Sequence, residues 1–422
     1  MSKIEKKYAF IFVAFLIIYE FSVYIANDMI MPGMIHIVKE FSASDVYIPS
    51  SLTAFILGGA SLQIFLGPLS DRYGRRKIML FGVTLFVLAT IANGLVNSIQ
   101  QFMVTRFFQG MGVCYIGVIG YATIQEMFEE KKAVKIISIM TTVSILAPLI
   151  GPLSGSIFLE YYNWRGINLI ITFFSIISLI GLYFYFPGKN KFKLIKNKVE
   201  LNSDKIYENI FKESFKNYSL IIKNKKFMAG VLAFSIIELP LIIWIATSPI
   251  VLIRKASLSQ FEYGLYQIPI FSCFIIGVVI LQKLLKKYTL EKIILLGTVF
   301  SGVGLFLSML APIFFAEHFL SIVVPYSIYA IGVGLISSPI YRLVLFASEV
   351  SKGSVAAAFS VVSMIFFGLG TELMGMIYRN QSNILFGLYS FILFVIYYFS
   401  IKYFIHSNNA KSEQILERKV IS

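Results

Sequence analysis

Long apolar runs alternate with short polar connections along the whole chain. Crossing a hydrocarbon core about 30 Å thick takes about 20 mostly apolar helical residues, and backbone groups that cannot reach water have to be paired within the segment. Twelve runs meet that requirement, with approximate bounds 8–30, 48–70, 78–96, 102–125, 136–159, 166–186, 227–252, 264–285, 291–311, 319–346, 354–377 and 383–406. One internal connection is long, from Pro187 to Lys226, and it leaves six runs on either side. The pattern predicts an all-α integral membrane protein with twelve transmembrane helices in two six-helix bundles, residues 1–186 and 227–422, joined by a linker at 187–226.

Composition removes the soluble alternatives. Of 422 residues, 57% are hydrophobic and 14% charged, where a soluble chain carries about 25% charged. So many apolar side chains, 40 Phe and 24 Tyr among them, exceed what a globular core of this size can hide, and lipid is the missing solvent. Cys114 and Cys273 each stand inside an apolar run, which provides neither a disulfide framework nor a metal-ligand cluster. No GxxxxGKS/T string is present to bind ATP, and His36, His318 and His406 lie near predicted helix ends without forming a zinc or Ser/His constellation. The chain is therefore not expected to be an enzyme, to hold a metal or to need a cofactor. The first run contains Glu20 and lacks a small-residue cleavage site, so it reads as a retained helix and not as a signal peptide.

The formal net charge of +15 lies mostly in the connections, which argues against a nucleic-acid-binding surface. The linker holds eleven lysines against four acids. By the positive-inside bias it is cytoplasmic, together with Lys3, Lys6, Lys7, the Arg72–Lys77 stretch and Lys283, Lys286 and Lys287, which places both termini in the cytoplasm. Within the linker, Ile206, Ile210, Phe211, Phe215, Ile221 and Ile222 recur at helical spacing opposite lysines; they fit an interfacial helix beside anionic headgroups, or a plain solvated linker. Tyr161, Tyr162 and Trp164 end the fifth run, where amphipathic rings favour the headgroup boundary.

Charged residues inside the runs supply the candidate chemistry. Glu20 lies near the middle of the first run and Asp28 follows eight residues later, about 12 Å along and roughly 80 degrees around an ideal helix, so both can border one cavity. An ionised carboxylate in hydrocarbon is costly; such a group faces the bundle interior, pairs with a cation or takes up a proton. A structural polar network is the competing reading. Between the two acids, Tyr24 and Asn27 offer an aromatic face and hydrogen bonds, or only helix packing. Arg106, near the start of the fourth run with Gln109 and Gly110, either tunes a neighbour's proton affinity or snorkels to the interface. Ala147, Pro148, Gly151, Pro152 and Gly155 on the fifth run permit close helix approach, or merely kink it. The tight connection with Gly67, Asp71, Arg72, Gly74 and Arg75 can work as a latch, because Asp71 can receive hydrogen bonds from a helix N-terminus or pair with Arg75. Glu126, ending the fourth run, is a candidate partner for it. Glu238 sits inside the seventh run just before Leu239 and Pro240; it is a third titrating site, the partner of a buried cation, or a group reaching an aqueous vestibule.

The string GPLSDRYGRRK at 67–77 resembles the signature between helices two and three of the major facilitator superfamily. YEFSVYIANDMIMPGM at 19–34, RFFQGMGVCYIGVIGYATIQEMFEE at 106–130 and APLIGPLSG at 147–155 resemble the twelve-helix drug:proton antiporters of that superfamily. The likeness continues through KFMAG at 226–230, WIATSPI at 244–250, EYGLYQIPIF at 262–271 and RLVLFASEVSKG at 342–353, and so covers nearly the whole chain. The resemblance implies a major facilitator fold and a multi-pass protein of the bacterial cytoplasmic (inner) membrane. It also implies proton-coupled export of lipophilic cationic and neutral compounds by alternating access, driven by the proton gradient. Under it, Glu20, Asp28 and Arg106 couple protons; Glu20, Tyr24, Asn27, Asp28 and Ala147 are candidate substrate-binding residues; 67–77 and 147–155 are conformational motifs. Glu238 is a candidate substrate-binding residue by its own position inside a span, not by the resemblance. The expected partners are small lipophilic molecules, protons and membrane lipids, on a monomer. Glu238 departs from the family pattern and leaves cargo preference open, with an exporter of an endogenous metabolite or siderophore as the alternative and a channel further behind.

Overall fold

The computed structural model describes residues 3–187, 216–315, 318–348, 350 and 352–421. Among these residues the secondary structure is helical throughout. Eleven helical runs are long and apolar enough to cross a membrane, and Tyr47–Ser61 with Gln63–Tyr73, bent by 41°, make a twelfth. The protein is a multi-pass membrane protein, and the spans fall where the apolar runs do. The chain divides into two compact units, Met1–Phe215 and Lys216–Ser422.

In the first unit, α1 (Lys3–Asp28) leads through a 3-10 turn at Met31–Gly33 into α2 (Met34–Glu40). Pro32 causes the interruption: it has no N–H to give the Asp28 carbonyl four residues back. The first span thus runs on to Glu40, past the expected end near residue 30. It is followed by α3 (Tyr47–Ser61), α4 (Gln63–Tyr73), α5 (Arg75–Gly94) and α6 (Ile99–Tyr115). A π turn at Ile116–Gly120 joins α6 to α7 (Tyr121–Met127), and α8 (Glu130–Tyr161) and α9 (Trp164–Tyr185) complete the unit. Here α1 packs on α8 and α9, α3 on α6, and α5 on α6 and α9. Small residues set these distances. A Cβ on Gly58 would strike the Phe107 carbonyl and one on Gly110 the Phe55 carbonyl, so α3 and α6 touch backbone to backbone.

In the second unit, residues 216–223 are helical, and Asn224 caps α10 (Lys225–Ser248) by accepting from the Lys226 and Phe227 N–H groups. Its Nδ2 donates to the Ala347 carbonyl at 3.1 Å, and Ile221 is buried. The end of the linker is therefore packed into this unit, with Ile222 exposed; the rest of the expected interfacial helix, 188–215, lies outside the described residues. A π turn at Pro249–Lys255 extends α10, followed by α11 (Gln260–Leu284), α12 (Leu290–Phe314), α13 (Leu320–Leu345), α14 (Lys352–Ile377) and α15 (Asn383–Ile421). Helix α10 packs on α13, α14 and α15, and α13 on α11 and α12.

The aromatic group at the end of the fifth span divides. Tyr161 and Tyr162 are exposed as expected at a headgroup boundary, but Trp164 is buried. Its ring meets Phe41 and Phe102 edge-on, and its indole N–H donates to Glu40 Oε2 at 2.7 Å. Arg165 holds both Glu40 oxygens, at 2.6 and 2.8 Å, and the Val96 carbonyl at 3.1 Å. Trp164 thus belongs to a clamp on three chain segments, because an indole N–H without water needs an acceptor.

Candidate functional site

Among the described residues, three charged side chains lie buried inside the first unit's spans: Glu20, Asp28 and Arg106. The Gly58–Gly110 contact draws the start of α6 against α3, so Arg106 reaches Ser51, one turn before Phe55. Its Nε donates to Ser51 Oγ at 3.1 Å, and its Nη1 donates to the Ala26 carbonyl at 3.2 Å and to Gln109 Oε1 at 3.3 Å. Its Nη2 donates to Asn27 Oδ1 at 2.7 Å, and the guanidinium lies over the Phe55 ring, 4.8 Å from the centroid. Arg106 is therefore a buried hub and not an interfacial side chain.

Asn27 is the link to the acid. An arginine has only donors, so the Asn27 atom facing it is the oxygen, and Nδ2 is left to point at Asp28. It donates to Asp28 Oδ1 at 3.0 Å. Gln109 behaves alike, accepting from Arg106 and donating to Thr90 Oγ1 at 3.1 Å. One hydrogen-bonded line therefore runs from Asp28 through Asn27, Arg106 and Gln109 to Thr90, across α1, α6 and α5.

From the other side α8 closes on the same carboxylate. A Cβ on Gly151 would collide with Asp28 Cβ, and one on Gly155 with the Met29 carbonyl. The glycines of the 147–155 motif thus bring a helix backbone against the residue that bears the acid, and Ala147, one turn earlier, is buried. Tyr24, between the acids, is partly exposed.

Glu20 is held differently. Tyr121 donates to its Oε1 at 2.8 Å, and Oε2 has no partner among the described residues. The π turn places that tyrosine, because an extra residue per turn rotates the following helix relative to α6. Clefts of 390 and 560 Å³ lie elsewhere, around Glu40 at the end of the first span.

At the Gly74 connection, Gly74 takes φ 95°, a conformation that favours glycine. Arg75 stands between Asp71, at 3.6 Å, and Glu126, at 2.7 Å. Arg72 lies over the Tyr73 ring. Gly67 has open space where a Cβ would stand, so packing within this unit does not require a glycine there. In the second unit Glu238 accepts a hydrogen bond from Ser337 on α13. The structure thus joins Asp28, Asn27 and Arg106 directly, sets Glu20 one cluster away, and keeps Glu238 in a separate setting. Ser51, Thr90, Tyr121 and Ser337 complete these sites without having been singled out in the sequence.

Charged side chains buried within a bundle of apolar spans place these groups inside a multi-pass membrane protein, turned toward protein and away from lipid. The model of the Major Facilitator Superfamily matches residues 16–375, and the chain belongs to that family. It is 42% identical over 365 residues to the multidrug transporter MdfA of Yersinia pestis bv. Antiqua (strain Angola), covering 86% of each chain. It is 40% identical over 384 residues to the multidrug transporter MdfA of Escherichia coli O157:H7, covering 91% of each. Among solved structures, a bacterial homolog to the human lysosomal transporter Spinster superposes with a TM-score of 0.71 at 17% identity, covering 95% of this chain and 98% of that one. The xylose transporter XylE from E. coli gives 0.67 at 16% identity, covering 93% and 98%. These two share the fold.

Proposed function

We propose that the chain is a proton-coupled multidrug antiporter of the bacterial cytoplasmic membrane, exporting lipophilic cationic and neutral compounds by alternating access. Both termini lie in the cytoplasm, the protein works as a monomer among membrane lipids, and the proton gradient is its energy source without a cofactor. The similarity to the MdfA transporters supports the cargo class. The observation that carries the mechanism is the pair of buried acids on α1, each hydrogen-bonded by a neutral donor, Tyr121 or Asn27. A carboxylate in that position alternates between a proton and a cation, because the bare charge is costly in the membrane interior.

Deprotonated Glu20 or Asp28 attracts a lipophilic cation or leaves its polar partners to a neutral drug. Proton entry from the acidic side weakens that binding and resets the carrier. Arg106 senses the Asp28 charge through Asn27, while Tyr24, Asn27 and Ala147 border the cargo. The 67–77 connection, with Gly67, Asp71, Arg72, Gly74 and Arg75, latches one conformation, and the helix with Pro148, Gly151, Pro152 and Gly155 seals against Asp28. One pH unit supplies about 1.36 kcal/mol per proton, and 100 mV about 2.3 kcal/mol per charge moved.

The test is reconstitution in proteoliposomes with an imposed pH gradient and tetraphenylphosphonium as cargo. Wild type should show saturable, gradient-driven flux, and the double variant Glu20→Gln with Asp28→Asn should lose it. Full proton-coupled flux in the double variant would overturn the assignment, and unitary conductance would point to a channel.

A further inference from the structure

Resting on the antiport reading, we propose that Glu238 and Ser337 form a second cation site inside the C-terminal unit, where a proton and a lipophilic organic cation replace one another. Glu238 lies 13 residues beyond Lys225, about 20 Å along the helix, and so near the middle of the Lys225–Lys255 run. Ser337 of α13 gives a hydrogen bond to Oε1. Pro240, two residues on from Glu238, lacks the N–H that the Ile236 carbonyl would otherwise receive, and Tyr329 of α13 donates to the adjoining Ile237 carbonyl. The acid therefore sits in a continuous helix, beside a turn that lacks one internal hydrogen bond.

Every element packed on this part of α10 leaves the charge unmatched. From α13 come Ser337 and the neutral Tyr329, and its one cation, Arg342, lies in the last turn, exposed and over the Phe346 ring. From α14, Gly370 meets Leu239, and the titratable residue nearest in sequence is another acid, Glu372. From α15, Tyr389 donates to the Gly370 carbonyl. Among the described residues no basic group lies within ion-pair distance of Glu238; Lys225, Lys226, Arg254 and Lys255 stand toward the two ends of its own run. A carboxylate so placed needs a positive charge from elsewhere.

Two further features select an organic cation. Most of α10 is buried, yet Glu238 and Ser337 keep part of their surface open. One turn along each helix, in the same direction, stand Phe234 and Tyr341. Both rings pack on Phe359 of α14, at 4.7 and 4.8 Å between centroids. An acid beside a cluster of aromatic faces recognises an alkyl- or aryl-substituted cation through charge and cation–π attraction together, which a hydrated metal ion does not match.

The experiment uses the full chain in lipid nanodiscs, with tetraphenylphosphonium and the neutral triphenylphosphine oxide as probes. Binding is measured by calorimetry, and proton release by a pH-indicator dye. Glu238→Gln should weaken tetraphenylphosphonium about tenfold more than it weakens the oxide, and lower the number of protons released per cation bound. Glu238→Asp should restore most of both. Phe234→Ala should reduce cation affinity while leaving proton release per cation unchanged, and it remains informative if Glu238→Gln folds poorly. Wild-type affinity and proton release in Glu238→Gln, or wild-type cation preference in Phe234→Ala, overturns the site. Either result leaves the antiport reading standing as long as wild type still moves tetraphenylphosphonium under a pH gradient, which separates the two failures.

Discussion

At the scale of single residues, Arg106 is the most constrained group in the first unit. It gives hydrogen bonds to Ser51, Ala26, Asn27 and Gln109, none of them ionised, and Asp28 is reached only through Asn27. That separation matters for coupling, because a direct buried ion pair would bind its own proton site shut, whereas an amide relay leaves Asp28 able to exchange charge with cargo. A lysine keeps the charge but offers one compact ammonium in place of a planar fork. Arg106→Lys is therefore expected to leave several of these four acceptors without a donor, at about 1–3 kcal/mol for each one stranded. It should lower both the thermal unfolding temperature in detergent and gradient-driven flux at least tenfold; wild-type flux would show that the fork geometry is dispensable. Glu20, Asp28, Arg106 and Glu238 were legible in the sequence because a charge within an apolar run is rare. Their partners were not. Ser51 lies 55 positions from Arg106 and Tyr121 lies 101 from Glu20, and a hydroxyl in a span carries no sign of whether it turns inward or bonds its own helix.

At the scale of elements, the glycines decide where helices meet, and the meeting points place the acids. The twelve spans were readable from apolar length alone, since the bilayer imposes that length on any helix that crosses it. The bend between α3 and α4 was not, because it falls at Leu62 with neither Pro nor Gly there. The π turn that places Tyr121 and the burial of Trp164 also depend on neighbours from other spans. The contact of α8 with Asp28 gives a direct test. Gly151→Val adds a branched side chain where even one Cβ collides with Asp28, so α8 has to move off α1. Overpacking costs about 1–3 kcal/mol in well-filled interiors, and the displaced helix no longer seals against the acid. The expected outcome is a lower unfolding temperature together with lost proton coupling, read as substrate flux that has become less sensitive to the imposed pH gradient. Retained coupling at wild-type stability would mean that α8 does not control access to Asp28.

At the scale of the whole molecule, charge balance links the acids of the two units through the cargo. If the exported cation is held at Glu238, displacing its proton, while the Glu20 and Asp28 pair gives up a proton in the same turnover without taking a second cation, two protons enter for each cation that leaves. A net positive charge then moves inward per cycle, and a potential of 100 mV, inside negative, adds about 2.3 kcal/mol to export, about fiftyfold in the cation gradient sustained. Neutralising Glu238 removes one of the two protons, so exchange becomes one for one and carries no net charge. Proteoliposomes with a potassium diffusion potential and no pH difference distinguish the cases. Wild type should drive tetraphenylphosphonium against its gradient under the potential alone, and Glu238→Gln should respond to a pH gradient but not to the potential. Equal voltage sensitivity in both would place the second proton elsewhere, and absence of voltage sensitivity in wild type would reduce the exchange to a single proton held by the first unit.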